Sequence, residues 1–229
     1  MFQGPLSESL LKKAQAKALL EIRVTNLRDF TADKHKTADD PPCGGGAGMV
    51  MKADVIAKAI AGVRGQGSRV IYMCPSGQTL TQRKVKELAK AEHLVILCGH
   101  YEGVDERVRA LVDEELSIGD YVLTGGELPA MVVVDAVARY IPGVVKEMSS
   151  VENDSFHDGL LDHPSYTKPE EFNGQKVPAV LLSGHHAEIA QWRRKEALRK
   201  TFYRRPDLLA QTELTETDRQ LLSEIVQNG

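Results

Sequence analysis

The chain has 229 residues, 42% of them hydrophobic, with a net charge of −3 and three cysteines. That length suits one large or two small domains with a fillable core. No run approaches the roughly 18 consecutive apolar residues of a membrane span, and the N-terminus MFQGPLSESLLKKA lacks a signal-peptide pattern, so a cytoplasmic protein is expected. The charge balance argues against a generally sticky nucleic-acid binder. Cys43, Cys74 and Cys98, odd in number and without CxxC spacing, argue against disulfides and a zinc site.

Residues 6–20 carry apolar side chains at helical spacing, and residues 20–24, Leu-Glu-Ile-Arg-Val, alternate as a strand does. Residues 29–49 are polar and glycine-rich, which predicts a long loop, and residues 53–63 read as a helix. Residues 70–73 and 94–97 are short β-rich apolar runs, each ending at a turn signal: Pro75-Ser76-Gly77 after the first, Gly99 after the second. A polar-faced helix over 82–91 separates them, so strands and helices alternate and an α/β fold with a parallel sheet is expected. Ligands of such sheets collect beyond the carboxyl ends of the strands, which makes the loops at Pro75, Gly99 and Ile118 candidates. The glycine run from Gly44 to Gly48 follows two acids and no strand, so a Rossmann dinucleotide site is disfavoured.

Residues 117–142, SIGDYVLTGGELPAMVVVDAVARYIP, join a glycine-bearing loop, a Gly125-Gly126 turn and an apolar helix. Paired glycines admit a ligand close to the backbone and offer its amides as donors. Pro129 in the first helical turn loses no intrahelical bond. The segment is a candidate site for a nucleotide-like ligand, although each glycine loop taken alone is equally well explained by a turn. Residues 146–158 turn polar without a clear period and read as a linker, dividing the chain into domains at 1–145 and 159–229. In the second of these, residues 186–203 form a basic helix carrying Trp192, Phe202 and Tyr203, and residues 214–226 a closing helix. Arg193, Arg194, Lys195, Arg199, Lys200, Arg204 and Arg205 face only Glu196 as a local acid. They are either a solvated helix face or a track for phosphates. His185 and His186, being adjacent, point apart on a helix, and the histidines form no metal cluster by spacing.

Beyond the SIGDY segment, four blocks stand in order: DDPPCGGGAGM at 39–49, CGHYEGVDERV at 98–108, NDSFHDGLLDHPSYTKP at 153–169 and LLSGHHAEIAQWR at 181–193. Together they resemble, over nearly the whole chain, the bacterial tRNA (guanine-N1)-methyltransferase family, TrmD, of the SPOUT class. The resemblance implies a SPOUT α/β domain with a deep trefoil knot, a smaller helical C-terminal domain that binds tRNA, and a homodimer whose active site draws on both chains. It implies methylation of guanosine 37 beside the anticodon, with S-adenosylmethionine as donor. Carried over residue by residue, the base is Asp154, the cation is Arg139, and Glu102 also matters for catalysis. The cofactor contacts are Pro75, Gly99, Tyr101, Ile118, Gly119, Asp120, Tyr121, Val122, Leu123, Gly125, Gly126 and Pro129. Magnesium, where used, is held by carboxylates, RNA and waters, and no protein metal cluster is assigned.

Guanine N1 carries a proton, so its methylation needs a base there and a cation where charge gathers on O6. An isolated aspartate titrates near about 3.9, and Glu152 and Asp158 are the like charges expected to raise Asp154. Read alone, Asp154 is better explained as a solvated linker acid or a helix N-cap. The chain departs from the family pattern in two places. Pro41 and Cys43 stand where arginine and tyrosine are expected, so an RNA contact made there is missing or replaced. Relatives also begin with an apolar strand, whereas this chain opens at Met1-Phe2, so the sheet is expected to be one strand short. Two other readings stay open: a SPOUT enzyme acting on another RNA position, and a non-catalytic tRNA-binding paralogue.

Overall fold

A computed structural model describes residues 1–227, and the chain divides into two units, Met1–Lys146 and Glu147–Gly229. In the first unit a 3-10 turn at Pro5–Ser7 leads into helix α1 (Ser9–Ala16), and a second turn occupies Leu27–Phe30. Two-residue strands β1 (Asp39–Asp40) and β2 (Val50–Met51) pair antiparallel across the glycine run. Then come α2 (Ala53–Val63), β3 (Ser68–Thr79), α3 (Gln82–Leu88), β4 (His93–Cys98), a 3-10 stretch Glu106–Leu111, β5 (Glu114–Ser117) and α4 (Glu127–Ala138).

Strand β3 is the centre of a parallel sheet of order β4-β3-β5. Its side chains alternate between two faces, as strand geometry requires. Val70, Tyr72 and Cys74 pack with Ile56 and Ile60 of α2 on one face. Ile71 and Met73 pack on the other with Val85 and Leu88 of α3 and Val133 and Val137 of α4. The unit is therefore a three-layer α/β/α sandwich. Ile71, Leu88 and Leu116 are fully buried, and each contributes about 1.5–3 kcal/mol through removal from water.

Two expectations need correction here. Residues 20–24 are not a strand: α1 ends at Ala16, Ala18 turns the chain with φ +54, and the segment that follows runs without regular structure. Alternation makes a strand only where the segment joins a ladder, and among the described residues nothing pairs with the outer side of β4. An apolar cavity of about 930 Å³ is shared by that segment and the β4 edge, with Leu20, Ile22, Leu94 and Ile96 in its lining. The second correction concerns Pro75-Ser76-Gly77, which does not end its strand. Strand β3 continues to Thr79, and its register with β5 shifts between Met73 and Gln78, so the three residues lie, with Cys74, in a bulge. A proline has no amide for the ladder, which makes a bulge the tolerated place for it. Strand β5 is an addition, since its Glu-Glu-Leu-Ser sequence has no apolar run.

In the second unit the 146–158 stretch contains a short helix, α5 (Met148–Glu152), anchored by Val151 at 1% exposure. A hairpin of β6 (Glu171–Phe172) and β7 (Gln175–Lys176) precedes α6 (Ala179–Leu182), α7 (His186–Arg204), α8 (Pro206–Leu209) and α9 (Glu216–Gln227). Leu160, Leu198, Leu221 and Ile225 form its core. Arg194 of α7 donates to both carboxylate oxygens of the buried Asp218 on α9, at 2.7 and 3.0 Å, and to Asp158 at 2.5 Å. Among the described residues no helix is long and apolar enough to cross a membrane.

Candidate functional site

The register of the sheet decides where the glycine-bearing loops meet. Met73 pairs with Cys98 on one side and Leu116 on the other, so the β3 bulge, the loop after β4 and the loop after β5 all emerge at one edge, beyond the carboxyl ends of the parallel strands. The Gly126 amide donates to the Gly99 carbonyl at 2.8 Å, and His100 bridges Gly125. A Cβ at Gly126 would lie 2.8 Å from Cys98 Cα, and one at Gly77 would lie 2.5 Å from the Glu115 carbonyl carbon. Glycine is needed at both positions because two backbones touch.

The loop after β5 is shaped by its own bonds. Ser117 Oγ donates to the Gly119 carbonyl and accepts the Gly119 amide, while Gly119 itself adopts φ +145 with the Tyr121 ring in the space a Cβ would need. Large side chains stand out from these loops: Tyr101 at 60% exposure, Tyr121 at 55%, Val122 at 82% and Leu123 at 38%. Tyr101 also holds a left-handed φ of +57, uncommon for a bulky residue and typical of functional loops. Exposed apolar groups beside backbone donors suit a flat, partly apolar ligand such as an adenosine. The large cavity of the fold lies elsewhere; of the residues expected to bind cofactor, only Tyr101 lines it.

Two polar networks brace the loops, and neither was foreseen. Glu115 of β5 accepts from Cys74 at 3.2 Å and Ser76 at 3.3 Å, and Arg109 closes on the same carboxylate. Burial alone would raise Glu115, yet its bonds to Cys74 and Arg109 hold it below the ordinary carboxylate range. His100 Nε2 lies 2.6 Å from Glu127 Oε1. The only cue in the sequence was a histidine beside one glycine turn and a glutamate after another. Burial also pushes the Cys98 thiol up to about 12 and raises Cys74, so neither is poised as a nucleophile.

Pro75, Gly99, Tyr101, Ile118, Gly119, Asp120, Tyr121, Val122, Leu123, Gly125, Gly126 and Pro129 thus lie on elements that the register gathers at one edge, Pro129 in the first turn of α4. Glu102 donates its amide to the Met49 carbonyl, and its carboxylate occupies the place of a Cβ at Gly48. The glycine run is thereby hinged to the loop after β4. Arg139 caps the C-terminus of α4 in the first unit, half-buried, whereas Asp154 follows α5 in the second unit. Asp158 is occupied by Arg194, so it is not the free like charge expected beside Asp154.

The basic stretch of α7 is also less open than its sequence. Arg194, Lys195, Arg199, Lys200 and Arg205 each hold a carboxylate, on Asp218 and Asp158, Glu224, Glu196, Asp162 and Asp207 respectively. Most of those acids are distant in sequence. Arg193 and Arg204 are exposed and have no carboxylate partner among the described residues. Phe202 packs on the core, Trp192 stacks obliquely on Tyr166, and Tyr203 is 56% exposed.

Comparison with known proteins adds an independent observation. Residues 1–211 match the family described as tRNA (Guanine-1)-methyltransferase TrmD. The chain is 57% identical over 225 residues to a protein of Dictyoglomus turgidum, covering 98% of this chain and 92% of that one. It is 57% identical over 230 residues to one of Desulforamulus reducens, with 98% and 91% covered, and 58% identical over 233 residues to one of Chloroflexus aurantiacus, with 98% and 92% covered. All three are named tRNA (guanine-N(1)-)-methyltransferase.

Proposed function

This chain belongs to the tRNA (guanine-1)-methyltransferase TrmD family, and on that premise we propose that it methylates N1 of guanosine 37 in tRNA, beside the anticodon. The observation that carries the reading is the convergence of the three glycine-bearing loops at one sheet edge in a chain matched to the family over residues 1–211. S-adenosylmethionine supplies the methyl, as an electrophile on a sulfonium. Gly99, Gly125 and Gly126 let the loops close against one another and so form the floor on which its adenosine rests, and Tyr101, Tyr121, Val122 and Leu123 cover it. Recognition there rests mainly on backbone amides and carbonyls. In this reading the fold is the SPOUT class with its trefoil knot, and the protein works in the cytoplasm.

Asp154 takes the N1 proton as the new N–C bond forms and the C–S bond breaks, leaving a neutral thioether, S-adenosylhomocysteine. Arg139 faces O6, where negative charge collects, and stabilises it as an oxyanion donor does. Such a base typically contributes 10²–10⁴-fold, and holding nucleophile and leaving sulfur in line contributes more. In this reading the protein acts as a homodimer in which Asp154 of one protomer serves the loops of the other. Glu102, seated against the hinge of the glycine run, couples closure of that run to the cofactor loop. Magnesium, where it takes part, would be held by the Glu102 carboxylate, RNA oxygens and waters.

Substrate recognition follows from the same surface. A guanosine in a single-stranded anticodon loop can be turned out of its stack into the site. Arg193, Arg204 and Tyr203 on α7 offer exposed charge and a ring to the RNA. The test is transfer of labelled methyl from S-adenosylmethionine to unmodified tRNA, with the product mapped by mass spectrometry. N1-methyl at position 37 is expected; methyl on a ribose or at another base would overturn the assignment.

A further inference from the structure

We propose that His100 and Glu127 are a positioning pair that clamps the loop after β4 onto the first turn of α4 and so fixes the shape of the methyl-donor site. The proposal rests on the reading of these loops as that site. His100 Nε2 and Glu127 Oε1 are 2.6 Å apart, with the histidine side chain 36% exposed and the glutamate 19%. Glu127 Oε2 is buried without a hydrogen-bond partner among the described residues. Burying a carboxylate oxygen unsatisfied is unfavourable, and an apolar side chain would serve folding better at this place. The pair is therefore kept for what it positions.

The surroundings are cut to fit it. A Cβ on Gly125 would lie 2.5 Å from Glu127 Oε2 and 2.6 Å from His100 Cε1, so glycine yields the space the pair occupies. The bond runs beside the seam formed by the Gly126 amide, the Gly99 carbonyl and the His100–Gly125 bridge. Tyr101 follows directly, its ring 5.8 Å from the imidazole and its backbone held at φ +57. A residue in that conformation persists only where neighbours over-determine it. Cutting the clamp frees His100 and lets Tyr101 relax away from the ligand. The clamp acts through Tyr101 and the glycine seam, so its loss weakens donor binding and leaves proton transfer intact.

The experiment compares the full-length protein with His100→Ala, Glu127→Ala, the double variant and His100→Gln, which retains an N–H donor. Steady-state kinetics with tRNA is paired with calorimetric binding of S-adenosylhomocysteine. Each alanine variant is expected to raise KM for S-adenosylmethionine and Kd for the product about tenfold, with kcat within about threefold and KM for tRNA unchanged. The double variant should match either single one, because the two side chains act as one unit, and His100→Gln should recover most of the loss. Unchanged binding, additive losses, or a fall in kcat at constant KM would each overturn the clamp. Should the alanine variants melt at the assay temperature, Glu127→Gln replaces them, and an unchanged KM there is the overturning result. A wild-type protein that does not bind S-adenosylhomocysteine would sink the underlying site reading, whereas wild-type binding shared by every variant would sink the clamp alone.

Discussion

Replacing Asp218 by asparagine removes the charge at the centre of the second unit. Asp218 is 2% exposed; it receives the Arg194 guanidinium through both oxygens and the Thr215 amide at 3.0 Å, while its own amide bonds Thr215 Oγ1 at 3.1 Å as a reciprocal cap of α9. Arg194, and then the Thr215 amide, hold its carboxyl at about 2 instead of the ordinary 3.8. That lowering corresponds to about 2 kcal/mol of stability at neutral pH. Since the folded value lies below the unfolded one, this stability is present above about pH 4 and is lost as pH falls towards about 2. The assay is urea unfolding followed by the fluorescence of Trp192, the sole tryptophan, two residues from Arg194. At pH 7 Asp218→Asn should lose about 2–3 kcal/mol against the wild type, and the gap should shrink steadily between pH 4 and pH 2.5. A gap that is the same at pH 7 and pH 2.5, or below about 0.5 kcal/mol throughout, would refute the reasoning.

Three further outcomes follow from the first unit and from α7. Gly126→Val places a branched side chain 2.8 Å from the Cys98 backbone, and should weaken S-adenosylhomocysteine binding at least about tenfold in calorimetry; unaltered affinity would show that the seam is not part of the site. Arg193→Ala and Arg204→Ala should each lower the slope of log affinity for tRNA against log salt by about 1, whereas Lys195→Ala, already held by Glu224, should change it far less; equal effects would mean that the ion pairs do not shield α7. Hydrogen exchange should be faster along β4, bonded on one side only, than at Ile71–Met73 of β3, bonded on both; uniformly slow exchange in β4 would mean that its edge is covered.

Periodicity revealed those elements whose burial is one-sided and local. The helix over 53–63 has the observed bounds because Val55, Ile56, Ala59 and Ile60 form one buried stripe. Strand β4 was visible as an unbroken apolar run. Strand β5 was hidden because its acids are neutralised by residues outside the strand: Glu114 by the distant Arg69 and Lys84, Glu115 by Arg109. The alternation over 20–24 misled because the segment joins no ladder and instead lines an apolar cavity beside the β4 edge. The loops that gather at one sheet edge were legible through motifs in which glycine permits close backbone approach. The polar braces behind them depend on contacts 27 and 41 residues apart in sequence, which no local pattern encodes.

The central claim is that the gathered loops hold the methyl donor while Asp154 removes the N1 proton. Its most direct test is Asp154→Asn, measured twice on the same preparation: the Kd for S-adenosylhomocysteine, and the single-turnover rate of methyl transfer to tRNA carrying guanosine at 37. The account predicts an unchanged Kd with a rate at least about 100-fold lower. A rate equal to wild type, or a loss wholly explained by weaker donor binding, would contradict it.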